Sequence, residues 1–270
     1  YGHTANQFNY HLFFIAVTMS IIVNNIQKGF NGTEILKGIS FEFEPGKTNL
    51  IIGQSGSGKS VLTKCIVGLY EVDKGEVIYG GENFSAMNKA ERKHIRTQIG
   101  MLFQGSALFD SYSVEQNVMF PLIMFSDMSK EEMIDRVNFC LKRVQLENKN
   151  HLFPSEISGG MQKRVAIARA IALNPKYLFC DEPNSGLDPK TSIVIDNLIH
   201  DLTKEYNMTT VVITHDMNSV MEIGENIMYI HKGENWWTGD KHSIVTTENK
   251  EIGDFVYASE FMKQLRGKLS

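Results

Sequence analysis

The sequence predicts an α/β fold in which helices cover a mainly parallel sheet, joined to an antiparallel β-subdomain near the N-terminus. Two short apolar runs, residues 177–180 and 211–213, are typical of parallel strands that are buried on both faces. Apolar residues at helical spacing follow near 190–202 and 217–223, and helices there would supply the covering layer. The middle of the chain also has a helical period, which predicts a helical subdomain at about 105–172 inserted in this core.

Residues 1–18 differ in composition from the rest of the chain. They are rich in aromatic side chains, contain no Asp, Glu, Lys or Arg, and precede Met19. We therefore expect them to be an upstream or added extension. The alternative, an anchor on a membrane surface, would require a basic polar face. The apolar stretch 12–23 is shorter than the roughly 20 residues that a spanning helix needs.

Strand patterns dominate the next part of the sequence. Residues 39–44 alternate apolar and polar side chains before a Pro-Gly turn, which predicts a strand with one buried face. Residues 76–79 lead into Gly80 and Gly81, a pair suited to a hairpin turn with positive φ.

An eight-residue string between an apolar run and a helical pattern carries the strongest signal. It matches G-x-x-x-x-G-K-[ST] and follows residues 49–52, where a strand should lead into such a loop. Its glycines let successive backbone N–H groups face one anion, and the helix that begins at Lys59 directs the positive end of its dipole there. Lys59 is expected to contact the β- and γ-phosphates of a nucleotide, and the Ser60 hydroxyl to ligate Mg²⁺. The alternative is a tight strand-to-helix corner. The predicted phosphate-binding residues are Gly53, Gln54, Ser55, Gly56, Ser57, Gly58, Lys59, Ser60 and the adjoining Val61.

Two further segments carry candidate chemistry. Asp181 and Glu182 follow a buried strand, where α/β sheets place their ligands. Because adjacent side chains on a strand point to different sides, Asp181 can orient the Mg²⁺ shell while Glu182 polarises an attacking water. The alternative is an acid pair that stabilises a helix dipole.

Residues 158–160, Ser-Gly-Gly, precede an amphipathic pattern at 161–172. Ser158 is expected to be the N-cap of that helix, and the paired glycines allow close approach of the backbone to an anion. A capped helix without a ligand is the alternative. Within the middle region, Ser129 and Glu132 form a capping box that predicts the start of another helix.

Composition restricts the class of protein. The 270 residues carry a net charge of −4, so no general basic field exists and a nucleic-acid partner is not expected. Cys65, Cys140 and Cys180 lack metal or disulfide spacing and fit a reducing compartment.

Six sequence elements occur in a fixed order. They are GQSGSGKS at the phosphate loop, Gln104 in MLFQGSALF, ISGGMQKR, YLFCDEP, NSGLD around Asp188, and ITHD around His215. Together they resemble ATP-binding cassette (ABC) ATPases, over about residues 20–239. The resemblance implies a P-loop NTPase fold, hydrolysis of Mg²⁺-ATP, a nucleotide-binding domain at 19–240 and a C-terminal extension at 241–270.

The resemblance assigns roles within one subunit. Phe30 would stack on adenine, although a lone aromatic beside a strand is often a core residue. Gln104 would contact Mg²⁺ and the attacking water, and His215 would contact the γ-phosphate. Lys59, Gln104, Glu182 and His215 are therefore the expected catalytic side chains, with Ser60, Gln104 and Asp181 around the metal.

Other positions are implied to act across a dimer. Ser158, Gly159 and Gly160 would close on the γ-phosphate of ATP that is bound to a second copy, and Asp188 would cross the interface between the copies. Because Lys59 and Ser158 belong to complementary half-sites, we expect a head-to-tail homodimer.

The departures from the common family pattern suggest a subgroup. ISGGM replaces LSGGQ, and Pro-Asn-Ser replaces Pro-Thr-Ser after the acid pair. These features resemble the MlaF-like ATPases of Mce-associated lipid transport. They imply a transmembrane permease, possible Mce-domain substrate-binding proteins, a hydrophobic solute such as phospholipid, and a location on the cytoplasmic face of the membrane. The alternatives are the ATPase of an amino-acid importer or efflux system, and an ABC protein without a transport role.

Overall fold

A computed structural model describes residues 19–257, which form two sheets and a set of surrounding helices. The predicted extension at 1–18 and the last part of the C-terminal extension, 258–270, lie outside the described residues. The strands of the described part are β1 (Ile21–Phe30), β2 (Thr33–Phe43), β3 (Thr48–Ile52), β4 (Lys74–Tyr79), β5 (Glu82–Asn83), β6 (Ile99–Leu102), β7 (Tyr177–Asp181), β8 (Thr209–Thr214), β9 (Asn226–His231) and β10 (Glu234–Gly239).

The first sheet is antiparallel, with the order β2-β1-β4-β5. Buried Ile21 pairs with Phe43, and Ile26 with Ile39, so the apolar face of the predicted alternation points inward. The predicted hairpin is confirmed, because β4 and β5 pair across Gly80 and Gly81, which have φ of 54° and 89°.

The second sheet has the order β10-β9-β3-β8-β7-β6. Five of its strands are parallel, and only the edge strand β10 runs antiparallel, to β9. Every residue of β3 and β8 is buried, as the continuous apolar runs predict. The α/β architecture with an antiparallel N-terminal sheet is thereby confirmed.

Helices surround the second sheet. They are α1 (Lys59–Ile66), α2 (Lys89–Thr97), α3 (Val114–Phe125), α4 (Lys130–Arg143), α5 (Gly159–Ile171), α6 (Pro189–Tyr206), α7 (Met217–Ile223), α8 (Ser243–Thr246) and α9 (Lys250–Val256). None of the helices in this described part is both long and apolar enough to cross a bilayer.

The two faces of the second sheet contribute to different cores. Leu50 and Ile52 of β3 pack with the helices α3 to α7, whereas Ile51 between them packs with the antiparallel sheet and α1. This division follows from the two-residue period of a strand. Because β3 contributes to both cores, the loop that follows it begins where the two cores meet.

In chain order, the helices α3, α4 and α5 follow β6 and precede β7. They occupy the region that was predicted as a helical subdomain. The capping box at the start of α4 is confirmed: Glu132 N donates to Ser129 Oγ at 3.2 Å, and Ser129 N donates to the Glu132 carboxylate at 2.7 Å. Such a cap stabilises a helix by about 0.5–2 kcal/mol.

Candidate active site

The phosphate loop connects β3 to α1. Gly53 and Gly58 have φ of 149° and 111°, values that residues with a Cβ rarely adopt. A Cβ at Gly58 would also lie 2.8 Å from Leu36 Cδ2. The loop therefore requires glycine at this position for both conformation and space, and its backbone curls into a concave surface suited to an anion.

Lys59 lies inside this curl. Its side chain is 7 % exposed, and Nζ donates to the carbonyl oxygens of Gly53 at 2.8 Å and Gln54 at 2.9 Å. Burial lowers the pKa of Lys59, while the negative charges of Glu182 and Asp181 oppose that shift. The two hydrogen bonds of this buried ammonium go to neutral carbonyl groups, and its pKa stays lowered, so a phosphate would be a favourable additional partner.

Asp181 ends β7 and is partly buried. Burial, and after it the charge of Glu182, raises the pKa of Asp181. A divalent cation beside Asp181 would offset both effects, so this carboxylate fits the predicted metal position. Within residues 19–257, no group of three or more His, Cys, Asp or Glu side chains is arranged to hold a metal.

Glu182 follows β7 in a left-handed conformation, with φ of 44°. Its backbone N–H donates to Ile213 O of β8 at 2.9 Å, and Ser185 N donates back to Glu182 O at 3.1 Å. A non-glycine residue in this region is strained by about 1–3 kcal/mol, and such strain persists only where the surroundings fix it. This left-handed conformation turns the chain away from the direction of β7 at Glu182.

The Glu182 carboxylate connects two other predicted side chains. Gln104 Nε2 donates to Glu182 Oε2 at 2.7 Å, and His215 Nδ1 lies 3.0 Å from Glu182 Oε1. These residues follow β6, β7 and β8, three adjacent parallel strands. Because the carboxyl ends of parallel strands meet at one edge, residues distant in sequence converge there. A carboxylate so placed can orient a water molecule and accept its proton.

The phosphate loop and this cluster line one cleft of about 1380 Å³. The cleft is large enough for a nucleoside triphosphate. The predicted residues among its walls are Gln54, Ser55, Gly56, Gly58, Lys59, Ser60, Val61, Gln104, Glu182 and His215.

Several predicted residues lie away from the walls of the cleft. Ser158 and Gly159 are exposed at the start of α5, where Ser158 Oγ accepts a hydrogen bond from Met161 N at 3.3 Å, so the N-cap prediction is confirmed. A Cβ at Gly160 would lie 2.6 Å from the Thr191 methyl group, so α5 and α6 are in close contact here.

Asp188 caps α6 and accepts hydrogen bonds from the backbone and side chain of Thr191, which lower its pKa. Phe30 is 40 % exposed and packs edge-on against Tyr70, with ring centroids 5.2 Å apart. The roles of Asp188 across a dimer and of Phe30 at adenine stay predictions.

The structure adds cleft residues that were not among the predicted site residues. Asn184 and the start of α7 line the cleft, as do Phe255 and Val256 of α9. Asn184 could have been found from its place in the turn after Glu182. By contrast, no local signal links α9, about 200 residues away in the chain, to the phosphate loop.

Two cations of α5 hold the loop that carries Gln104. Lys163 Nζ donates to Gln104 O. The Arg169 guanidinium donates to Ser106 O and Ala107 O, each at 2.7 Å. Ser106 and Ala107 have φ of 62° and 48°, so this loop is strained and depends on such support. Since α5 begins just after Ser158, one helix connects residues 158–160, here called the signature residues, to the Gln104 loop.

Lys163→Met is expected to lower kcat for ATP hydrolysis by about tenfold, with KM for ATP changed by no more than about twofold. The substitution leaves the Gln104 carbonyl without its buried donor, so the side chain of Gln104 loses its position beside Glu182. Steady-state kinetics at several ATP concentrations would measure both constants. Lys142→Met, at an exposed site on α4, is the matched control. Native kcat for Lys163→Met would contradict this role.

Comparisons with known proteins agree with the geometry. The sequence model described as "ABC transporter" matches residues 36–185. The methionine import ATP-binding protein MetN of Clostridium acetobutylicum is 37% identical over 240 residues, which cover 89% of this chain and 75% of the relative. The probable ribonucleotide transport ATP-binding protein mkl of Mycobacterium tuberculosis is 33% identical over 238 residues, covering 88% of this chain and 66% of the relative.

Solved structures are similar as well. The dimeric ATP-binding cassette MJ0796 bound to ADP and Pi has a TM-score of 0.74 and 34% identity, and the match covers 82% of this chain and 98% of that one. The cbiO1 protein of Clostridium perfringens, part of the ABC transporter complex cbiONQ, has a TM-score of 0.80 and 27% identity, with 92% and 98% covered. With more than half of its residues matched by the family model and its phosphate loop and Glu182 in one cleft, this chain belongs to the ABC transporter ATP-binding family.

Proposed function

We propose that the chain is the ATP-hydrolysing subunit of an ABC transporter, that it pairs with a second copy around two nucleotides, and that it drives a separate membrane permease. The observation that carries this proposal is the contact of Gln104 and His215 with Glu182 in the cleft of Lys59. These groups are the set that phosphoryl transfer to water requires: a cation at the phosphates and a positioned carboxylate.

In this proposal Lys59 neutralises charge that develops on the β- and γ-phosphates. Glu182 orients the attacking water and accepts its proton, and His215 holds the γ-phosphate side of the cleft. Ser60, Gln104 and Asp181 would hold Mg²⁺, which supplies charge neutralisation at the phosphates. The catalysis is therefore mainly positioning and electrostatic stabilisation.

The second copy is proposed because the signature residues do not line the cleft of their own chain. Ser158 to Gly160 are instead at the start of α5, where Ser158 and Gly159 are exposed and where backbone N–H groups and the helix dipole favour an anion. A head-to-tail partner would present these residues to the γ-phosphate at Lys59. The similar MJ0796 cassette is dimeric in its solved structure with ADP and Pi, which supports this arrangement.

Exposed apolar side chains on α3 and in the loop before it support a membrane-protein partner. Exposed apolar surface of this kind is often covered by another protein when its residues adjoin. In the loop, Phe109 and Tyr112 are in contact, with ring centroids 5.1 Å apart. The exposed side chains are Phe103, Phe109, Tyr112, Ile123, Met124 and Phe125.

Among substrates, an amino acid is the first candidate. MetN, by its name, serves methionine import and is 37% identical to this chain. The relatives supply no support for an Mce-domain partner or for lipid, the class that the sequence resemblance favoured. Lipid is kept as the second candidate on one observation: the chain combines ISGGM with Pro-Asn-Ser after Glu182.

To test the proposal, Glu182→Gln is purified by affinity from native membranes, and mass spectrometry identifies the membrane proteins that co-purify with it. This variant is expected to stay bound to its permease in Mg²⁺-ATP. That permease is then reconstituted with the wild-type chain: ATP hydrolysis stimulated by methionine would support amino-acid import, whereas stimulation only by phospholipid vesicles would support the second candidate. Purification of the active chain without any membrane protein would contradict a transport role.

A further inference from the structure

A buried acid outside the cleft has no part in the mechanism above. Asp196, in the second turn of α6, is 2 % exposed. Ionised carboxylates are seldom buried to this degree unless other groups compensate them, because desolvation of the charge is costly. The groups around the Asp196 carboxylate therefore indicate what this buried acid does.

Asp196 lies between the two segments that carry Glu182 and His215. Its carboxyl group faces Asn184, two residues after Glu182, and Ser219, in the helix that begins just after His215, and hydrogen bonding from both lowers its pKa. Among the described residues its Oδ1 atom has no hydrogen-bond partner, so the other oxygen accepts these bonds. Asn184 and Ser219 are also joined directly, with Asn184 Nδ2 donating to Ser219 Oγ at 2.9 Å. The three side chains form a buried link between the turn after β7 and α7.

The same two segments have a second link in the cleft, between Glu182 Oε1 and His215 Nδ1. The His215 side chain is 63 % exposed, so water and any bound phosphate compete with this contact. Ser219 is fully buried, and the link through Asp196 is shielded from such competition. The buried link can therefore persist while the contact in the cleft changes.

We propose that Asp196 is a positioning residue for ATP hydrolysis: through Asn184 and Ser219 it fixes the turn that carries Glu182 against the helix that follows His215. The inference rests on the proposed roles of Glu182 and His215. Glu182 is held in a strained left-handed conformation, and this link supplies support close to it.

The surroundings make this link sensitive to pH. Burial raises the pKa of Asp196 to about 6, against the lowering effect of the hydrogen bonds from Ser219 and Asn184. The carboxylates of Asp216 and Glu222 act in the same direction as burial, and Cys180 of β7 also faces Asp196. Above about pH 6 the ionised carboxylate accepts both hydrogen bonds. Below it, protonation weakens them, so the link loosens as the pH falls.

The test compares wild type with Asp196→Asn and Asp196→Ala, using kcat and KM for Mg²⁺-ATP between about pH 5.5 and 8.5, a range that spans the titration of a raised carboxyl pKa. We expect kcat to be lower by about tenfold at about pH 7.5 in both variants, with KM changed by no more than about twofold. Wild type should also show a loss of kcat near pH 6 that is smaller in Asp196→Asn, since an amide does not titrate there. Asp201→Asn, an exposed acid on the same helix, is the control and should behave as wild type.

Thermal unfolding and binding of a fluorescent ATP analogue are measured on each variant. Native kcat and an unchanged pH profile in Asp196→Asn would overturn the inference. So would a loss of kcat that only parallels lost ATP binding and a lower unfolding temperature, because that pattern describes general destabilisation. If Asp196→Ala does not fold, Asp196→Asn and Asn184→Ala carry the same comparison. A wild-type chain without ATPase activity would instead refute the site assignment, and the inference with it.

Discussion

Replacing Glu182 with glutamine is expected to lower kcat for ATP hydrolysis by roughly 10²–10⁴-fold, the usual contribution of a general base. Glutamine has nearly the same shape and retains an oxygen for the bond from Gln104 Nε2, but it cannot accept a proton from water. ATP should still bind, because Lys59 and the phosphate loop are unchanged. Single-turnover hydrolysis and equilibrium binding of ATP would measure the two effects separately.

The same variant should accumulate as a dimer in Mg²⁺-ATP. Each γ-phosphate is proposed to be shared between two copies, and without hydrolysis that shared ligand stays in place. Gel filtration with light scattering would detect the dimer. The matched control is Glu147→Gln, an exposed acid in the loop after α4, which should hydrolyse ATP and dissociate as wild type does. Native turnover in Glu182→Gln would exclude Glu182 as the base.

Lys59→Ala should act on binding instead. A charged hydrogen bond to phosphate contributes about 1.5–3 kcal/mol, so Kd for ATP is expected to rise by about 10- to 150-fold. The fold itself should tolerate the change, because burial of this ammonium is already unfavourable, as its lowered pKa indicates. Titration with a fluorescent ATP analogue would measure Kd, and thermal unfolding of the nucleotide-free protein would report on the fold.

An exposed lysine provides the comparison for Lys59. Lys93→Ala removes the same charge from the surface of α2 and should leave Kd unchanged. An unaltered Kd in Lys59→Ala would contradict the proposed phosphate contact. A similar rise in Kd for both variants would show that net charge, and not the contact, determines binding.

The local sequence was sufficient to predict those features of the structure that depend on neighbouring residues. The string at 53–60 predicts its own loop, because the positive φ of Gly53 and Gly58 and the helix that begins at Lys59 are properties of adjacent residues. The cap at Ser158 and the capping box at Ser129 are also confirmed, since each is a bond between groups three residues apart.

Substrate assignment is where sequence patterns gave the weaker prediction. A few residues around 157–161 and 183–185 suggested lipid transport, whereas the similar protein MetN is named for methionine import and supports the proposal of an amino acid. In the proposed function the phosphate loop and acid pair bind ATP and not the transported solute, so their sequence carries little information about that solute. The solute is selected by the permease in the proposed assembly.

The sequence by itself determined the phosphate loop, the order of the family's motifs and the alternation of strands and helices, because these depend on short-range backbone preferences and periodicity. Only the tertiary structure decided that Gln104 and His215 meet on Glu182, that Lys163 holds the Gln104 loop, and that Asn184 bonds to Ser219 beside Asp196. Each of these contacts joins separate strands or helices through a side-chain hydrogen bond. Sheet order and the packing of α5, α6 and α7 fix those distances, and neither is encoded in any single stretch of the chain.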